Sequence, residues 1–230
     1  MVNIIMIPKI IHHVWPGSDP FKEKFHNWRT SWMKHHPDWT FYFWRLDNLP
    51  TNISPAVLEI LKDSDYAITP KADVLRFEVV RIFGGIYVDT DFECLKPFDD
   101  FLHHRFFSGW EDDNRRICPS LFGAEPGNSI ITNIALTSAF NAKSAGAKQS
   151  NDRPNVVTSV KPFTVVLQHN LDNPGVVVYP RDYFYPIFYK ERDRLGEECP
   201  NAYAKHYWSG MDSDGWCRAP KFDTDGDVVS

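Results

Sequence analysis

Apolar residues along this chain recur in two alternating rhythms, short runs and stretches with helical spacing, and that alternation predicts an α/β protein. Residues 9–14 form a short run read as the first strand. Asp19 and Pro20 give a helix-start signal, after which Phe21, Phe25, Trp28 and Trp32 fall on one stripe of core character. Residues 39–44 read as a second strand, and Ser54-Pro55 opens a second helix that runs to about Leu61. Ala72, Leu75, Val79, Ile82 and Phe83 mark a third helix, which Gly84-Gly85 stops. Ile86-Tyr87-Val88 is apolar throughout, as suits a central strand. Residues 106–109 and 176–179 read as further strands and 130–140 as a helix, while 141–155 are small, polar and loop-like. No internal repeat interrupts this order.

Two groups of charged residues stand out against the pattern. Asp73 and Arg76 lie three apart on the third helix, so both point to a face distinct from its apolar stripe. Asp89 and Asp91 leave the carboxyl end of the central strand, where open α/β sheets place their ligand crevice. A bare Asp-x-Asp is usually a solvated turn. The Gly-Gly-Ile-Tyr lead-in and the Asp73/Arg76 helix favour a site instead. Two hard oxygen donors suit a divalent cation, Mn²⁺ or Mg²⁺, which makes a nucleoside diphosphate a better leaving group. Side chains one residue apart splay in an extended segment, so one carboxylate can ligate the metal while the other reaches a sugar hydroxyl.

These residues resemble glycosyltransferase family 32, the sugar transferases containing an Asp-x-Asp motif. The family pattern of a small residue, Asp, two residues, Arg, then Gly-Gly-Ile-Tyr-x-Asp-x-Asp appears at Ala72, Asp73, Arg76 and residues 84–91. Residues 7–15 are similar to the family's first strand, and Val178-Tyr179-Pro180, Phe184-Tyr185-Pro186 and residues 204–208 to its late strand and terminal His segment. The resemblance covers about nine-tenths of the chain. It implies a Rossmann-like GT-A fold with a central, mostly parallel sheet, a nucleotide-sugar donor with a UDP-sugar favoured, and a glycan acceptor. It further implies that Asp91, His206 and Asp89 hold the metal, Asp73 and Arg76 the donor hexose, Asp89 ribose or sugar, and that Trp15 stacks on the base. In the family a Ser and a Trp beyond the His donate to the diphosphate. Here Trp208-Ser209 come earlier than that spacing, and Ser213 and Trp216 later and split. The family's Thr-Gly-Pro segment is altered too, Thr158 being followed by Ser159-Val160-Lys161-Pro162.

The residues also admit plainer readings. Trp15 could be a core aromatic at a strand end. Asp73 and Arg76 could be an i,i+3 ion pair, and Tyr87 points away from its strand neighbours and reads as structural. Glu111, Asp112 and Asp113 follow a strand end on the side where an acceptor approaches; an acceptor-orienting carboxylate and an exposed acidic turn are both open. Asp212-Ser213-Asp214-Gly215 and residues 223–227 lack the spacing and terminal Glu of a calcium loop and read as solvated loops.

Composition narrows the class. With 230 residues, 43% of them hydrophobic and 15% aromatic, the chain can bury one sizeable core, expected as one domain over residues 1–217 with a mobile acidic tail over 218–230. A net charge of −5 gives no positive field for nucleic acid or anionic membrane, so an anionic donor needs local charge and metal. Cys94, Cys118, Cys199 and Cys217 lack zinc-ligand spacing and read as reduced thiols. No run approaches a membrane span and residues 1–6 are too short for a signal core, so a cytoplasmic bacterial or viral enzyme or a trimmed catalytic domain is expected. Competing classes are a non-catalytic sugar or nucleotide-sugar binding module, a phosphodiesterase and a transferase with a protein acceptor. Intact Asp89, Asp91 and His206 weigh against the first, and a two-metal phosphodiesterase needs more His and Asp ligands at motif spacing.

Overall fold

The computed structural model describes residues 6–17, 23–112, 115–144, 156–209, 221–222 and 228–229. Its six-stranded sheet has the order β2-β1-β3-β6-β5-β7. The strands are β1 (Ile10–Val14), β2 (Thr40–Trp44), β3 (Gly85–Val88), β5 (Phe106–Trp110), β6 (Ile117–Ala124) and β7 (Val176–Tyr179). β1 pairs parallel with β2 and β3, and β5 parallel with β7. β6 runs antiparallel to both its neighbours, β3 and β5. The start of β6 therefore lies at the same edge as the carboxyl ends of β3 and β5. The sheet is α/β and mostly parallel, with one reversed strand at its centre.

Each face of the sheet carries its own core. On one side α2 (Pro55–Lys62), α3 (Ile68–Phe83), α4 (Ser129–Ser144) and α5 (Lys161–Gln168) pack through Val57, Leu75, Phe77, Ile131, Phe163 and their neighbours. On the other, α1 (Glu23–His35), α6 (Arg181–Phe184) and a ribbon of β4 (Phe92–Cys94) with β8 (Ala204–His206) enclose Trp32, Phe92, Phe98 and Phe184. Trp32 is fully buried and donates its indole N–H to the Phe92 carbonyl at 2.9 Å, tying α1 to β4. Trp28, expected on the same core stripe, is only half-buried and stacks on Tyr207 at 4.6 Å. Asp19, Pro20 and Phe21 lie outside the described residues.

The turn from α3 into β3 sets the site. Gly84 adopts φ 63° and ψ −163°, a conformation open only to glycine, and caps α3 by donating its N–H to Val80. A Cβ there would fall 2.6 Å from Pro126 Cδ and 2.9 Å from Pro8 Cδ. His12 on β1 holds the same turn. The Trp44 indole donates to its Nδ1 at 2.9 Å, leaving Nε2–H for the Gly84 carbonyl at 2.8 Å. Burial pushes the His12 pKa down to about 4 and that of His13 to about 3, so both imidazoles are neutral struts at physiological pH.

The hydropathy pattern predicted β1, β2, β3, β5, β7 and α1 to α4 within a few residues. It did not show β4, β6 or α5, and α4 extends to Ser144 where a loop was expected from Asn141. Residues 145–155 lie outside the described residues. Pro119 sits inside β6, where a ladder donor is normally needed. The pairing with β5 shifts register between Ser108 and Trp110, a bulge that relieves the demand. Cys94, Cys118 and Cys199 are free thiols, and Cys217 lies outside the described residues. Of the expected tail, Lys221–Phe222 pair antiparallel with Val228–Val229, and its other residues lie outside the described ones. No described helix is long and apolar enough to cross a membrane.

Candidate active site

The third helix was expected to keep Asp73 and Arg76 on a face apart from its buried stripe. Instead α3 is buried from Pro70 to Val80, Ala72 excepted, and both charges are enclosed with it, at 1% and 9% exposure. A buried guanidinium needs partners to be tolerated, and Arg76 has them on both terminal nitrogens, while its buried Nε has none among the described residues. Arg76 Nη2 donates to Asp73 Oδ1 at 2.9 Å, and Nη1 to Asp89 Oδ1 at 3.0 Å and the Pro119 carbonyl at 3.4 Å. Its guanidinium also lies over the Tyr87 ring, 5.0 Å from the centroid. Burial opposes this charge, but Asp89, Tyr87 and Asp73 outweigh it and raise the Arg76 pKa. Thr158 donates to Asp73 Oδ2 at 2.6 Å. Burial raises the Asp73 pKa to about 6, with Arg76 and Thr158 pulling the other way.

Asp89 is fixed at its backbone as well, its N–H donating to the Ser120 carbonyl at 2.8 Å. Tyr87 donates a short hydrogen bond from its hydroxyl to Asp89 Oδ1. The structural reading of Tyr87 from strand alternation thus misses that a phenol reaches beyond the strand end to the residue two places on.

Asp91 opens the β4–β8 ribbon, whose register sets Phe92 opposite His206. His206 Nε2 lies 3.1 Å from Asp91 Oδ1, and Oδ2 accepts from the Ser209 N–H at 2.8 Å and its hydroxyl at 3.2 Å. Burial works to raise the Asp91 pKa, but His206 and the Ser209 donors outweigh it and hold the carboxyl below its usual range. Ser209, too early for the resembled spacing, therefore does meet the motif. The His206 ring stacks on Phe92 at 4.3 Å, and its buried Nδ1 has no partner among the described residues.

Asp89, Asp91 and His206 each offer one ligand atom, and the three atoms lie within 4.8 Å of one another. Ligands about 2.0–2.4 Å from one hard cation sit no further apart than roughly twice that distance. Two carboxylates and an imidazole are a donor set that Mn²⁺ or Mg²⁺ accepts. The residues present fit such an ion.

The remaining candidates are placed as follows. Trp15 follows β1, its N–H donating to the Trp44 carbonyl at 2.8 Å, and its half-buried ring lies 5.4 Å from Phe25. Trp208 is 4% exposed, has φ 53°, and gives its indole N–H to the Ile187 carbonyl at 2.9 Å, so that donor is engaged within the fold. Asp112 organises its own turn, accepting from the N–H groups of Arg115 and Arg116 and from the Arg116 side chain. Glu111 is buried, at 6% exposure, not a residue of an exposed acidic turn. Asp113, Ser213 and Trp216 lie outside the described residues. Thr158, from the altered Thr-Gly-Pro segment, joins the site at Asp73, whereas the Pro119 carbonyl arrives by tertiary packing with no local motif to announce it.

Residues 22–107 match the family described as the glycosyltransferase sugar-binding region containing the DXD motif. A glycosyltransferase of Acanthamoeba polyphaga mimivirus, itself uncharacterized, is 35% identical over 107 residues, covering 44% of this chain and 42% of that protein. Inositol phosphoceramide mannosyltransferase 3 of Schizosaccharomyces pombe is 33% identical over 101 residues, covering 43% of this chain and 28% of that one. The chain thus spans less than half the length of these curated relatives. Among solved structures, the glycosyltransferase domain of the YGT toxin aligns with a TM-score of 0.57 at 9% identity, covering 76% of this chain and 80% of that one. PaToxG glycosyltransferase aligns with a TM-score of 0.54 at 16% identity, covering 74% and 71%. The shared fold is the GT-A fold of glycosyltransferases.

Proposed function

We propose that this protein transfers a hexose from a nucleotide sugar, a UDP-sugar in first place, to a hydroxyl of a glycan acceptor, with Mn²⁺ or Mg²⁺ and with retention at the anomeric carbon. One observation carries the reading: the Asp73–Arg76–Asp89 network and the Asp91–His206 pair converge at one edge of the sheet, with ligand atoms spaced for a single cation. When bound, that cation neutralises the diphosphate and makes it a better leaving group.

The chain's own residues do the positioning. Asp73 and Arg76 present an acceptor and a donor to sugar hydroxyls, and their mutual ion pair keeps both from reorienting as the donor enters. Arg76 and Tyr87 hold Asp89 by the same oxygen, which leaves Oδ2 for the nucleotide or the cation. Trp15 stacks on the base. In the reaction the anomeric carbon leaves its phosphate oxygen for the acceptor oxygen, and the acceptor's proton passes to the departing phosphate. The relatives named as inositol phosphoceramide mannosyltransferases bring mannose donors into consideration beside UDP-sugars.

A thermal-shift screen of UDP- and GDP-hexoses with and without Mn²⁺ tests the reading. A cognate donor at about a hundred times its Kd adds roughly 2.7 kcal/mol, a shift of several degrees that appears only with the metal present. No metal-dependent shift with any nucleotide sugar would end the proposal.

A further inference from the structure

Carbonyls at and just before the start of β6 act as a rail for the crevice. The Ser120 carbonyl takes the Asp89 N–H at 2.8 Å, Pro119 takes Arg76 at 3.4 Å, Cys118 takes the Tyr185 hydroxyl at 3.3 Å, and Arg116 takes the Glu111 N–H at 2.9 Å. Glu111 is thus built into the same frame as Asp89, but from the other neighbour of β6, the carboxyl end of β5. The sheet order fixes what that side faces. On the transferase reading, a nucleotide with its base at Trp15 beyond β1 and its phosphates at Asp91 beyond β3 would carry its sugar toward β6 and β5, the next strands in the sheet. Glu111 is the carboxylate waiting there.

Its environment is unusual for a structural carboxylate. The side chain is 6% exposed, yet its nearest cation, Arg116, stands 3.6 Å away, while the same guanidinium makes a closer 2.9 Å contact with Asp112. No described backbone N–H is capped by its oxygens. Besides that distant guanidinium it has the Cys118 thiol, a weak donor, so its charge is held by little for a buried carboxylate, and such carboxylates concentrate where a ligand supplies a further donor. The groups bearing on its charge are Arg116 just before β6, Cys118 on β6, Asp112 on its own turn, Tyr185, Tyr189, and His206 from β8.

We propose that Glu111 is the acceptor-side ligand of this site: its carboxylate accepts a hydrogen bond from the attacking hydroxyl of a sugar or other polyol and orients that oxygen toward the donor's anomeric carbon. The role rests on the transferase reading above. No proton is transferred to Glu111; the hydrogen bond fixes the hydroxyl and excludes water from its place. Burial raises the pKa of Glu111 against the pull of Arg116. A carboxyl of this kind stays protonated to higher pH than usual, so acceptor capture fades as pH falls through its raised pKa.

Glu111→Gln keeps the shape and removes the charge. With the donor identified by thermal shift, its partition between a panel of methyl glycosides and water is measured in the wild type and the variant, and nucleotide affinity checks the fold. The expected result is a fall of roughly a hundredfold in the ratio of glycoside transfer to hydrolysis, a raised KM for the glycoside and loss of the acidic limb of the ratio. An unchanged ratio would overturn the assignment, as would a variant that loses nucleotide affinity and both reactions in step. A wild-type protein that turns over no donor with either acceptor would fault the transferase reading itself and take the Glu111 role with it.

Discussion

One carboxylate oxygen of Asp91 lies against His206 Nε2 and the other accepts from Ser209, so the residue is oriented by the ribbon that carries it. Asp91→Asn keeps the volume and removes the charge. Expected are a folded protein, lost metal dependence of nucleotide binding in calorimetry, and turnover reduced roughly a thousandfold, because Lewis-acid assistance is worth several kcal/mol. Unchanged metal-dependent affinity would remove Asp91 from the ligand set. Asp73 has a different signature. Its pKa, raised to about 6, means that the folded chain binds a proton there that the unfolded chain, with an ordinary value near 4, has released. From this group alone, stability falls as pH rises from about 4 to about 6 and is flat above. Donor use runs the opposite way, because the ionised form pairs with Arg76 and accepts from sugar hydroxyls. The kcat/KM for the donor is expected to drop below about pH 6, and that limb to vanish in Asp73→Asn. Asp73→Ala is expected to spare affinity for the free nucleoside diphosphate while erasing discrimination among donor sugars; equal weakening of the free nucleotide would make the residue structural. At this scale the motif residues Asp73, Arg76, Asp89 and Asp91 were legible because their spacing is local. Thr158 and Glu111 were visible as candidates, but the contact of Thr158 with Asp73, the burial of Glu111 and the reach of Tyr87 to Asp89 were not, since they depend on which side chain packs beside them.

Gly84 is where one element governs another. The backbone there takes a conformation that only glycine tolerates, between Pro126 and Pro8, and it sets the reach from Arg76 on α3 to Asp89 beyond β3. Gly84→Ala is expected to cost about 3 kcal/mol in urea unfolding and to weaken donor binding in whatever protein still folds. A neutral result would mean that the turn relaxes without strain. Elements with a strong period, such as α3 and β1, could be read from their apolar residues alone. β6 could not, because Pro119, Ser120 and Gly123 break its alternation and only a bulge in its partner makes room for the proline. β4 is three residues long, too short for any period to show.

The molecule as a whole gathers its chemistry at one edge of one sheet, and the stereochemical outcome belongs to that arrangement. Of the three carboxylates considered for an inverting base, Asp113 lies outside the described residues, Asp112 is engaged by the N–H groups and side chain of its own turn, and Glu111 is proposed to orient the acceptor. The first-formed product is therefore expected to keep the donor's anomeric configuration, read by proton NMR before mutarotation. An inverted product, with activity abolished in Glu111→Gln, would make Glu111 the base instead. The α/β class was legible from the alternation of strands and helices and the GT-A fold from the motif resemblance, whereas the position of β6 was not, since a strand in the centre of a sheet arrives there through contacts remote in sequence.

The ribbon of β4 with β8 brings His206 to Asp91 across 115 residues. Until residues 204–209 have left the ribosome, the motif strand carries its two aspartates with no imidazole and no Ser209 to complete them. A contact this remote in sequence closes a long loop and is therefore expected late in folding, and it is also the one that completes the candidate ligand set. On the proposed function, a nascent chain stalled before that point is expected to carry all six strands of the sheet and yet be unable to turn over a donor sugar.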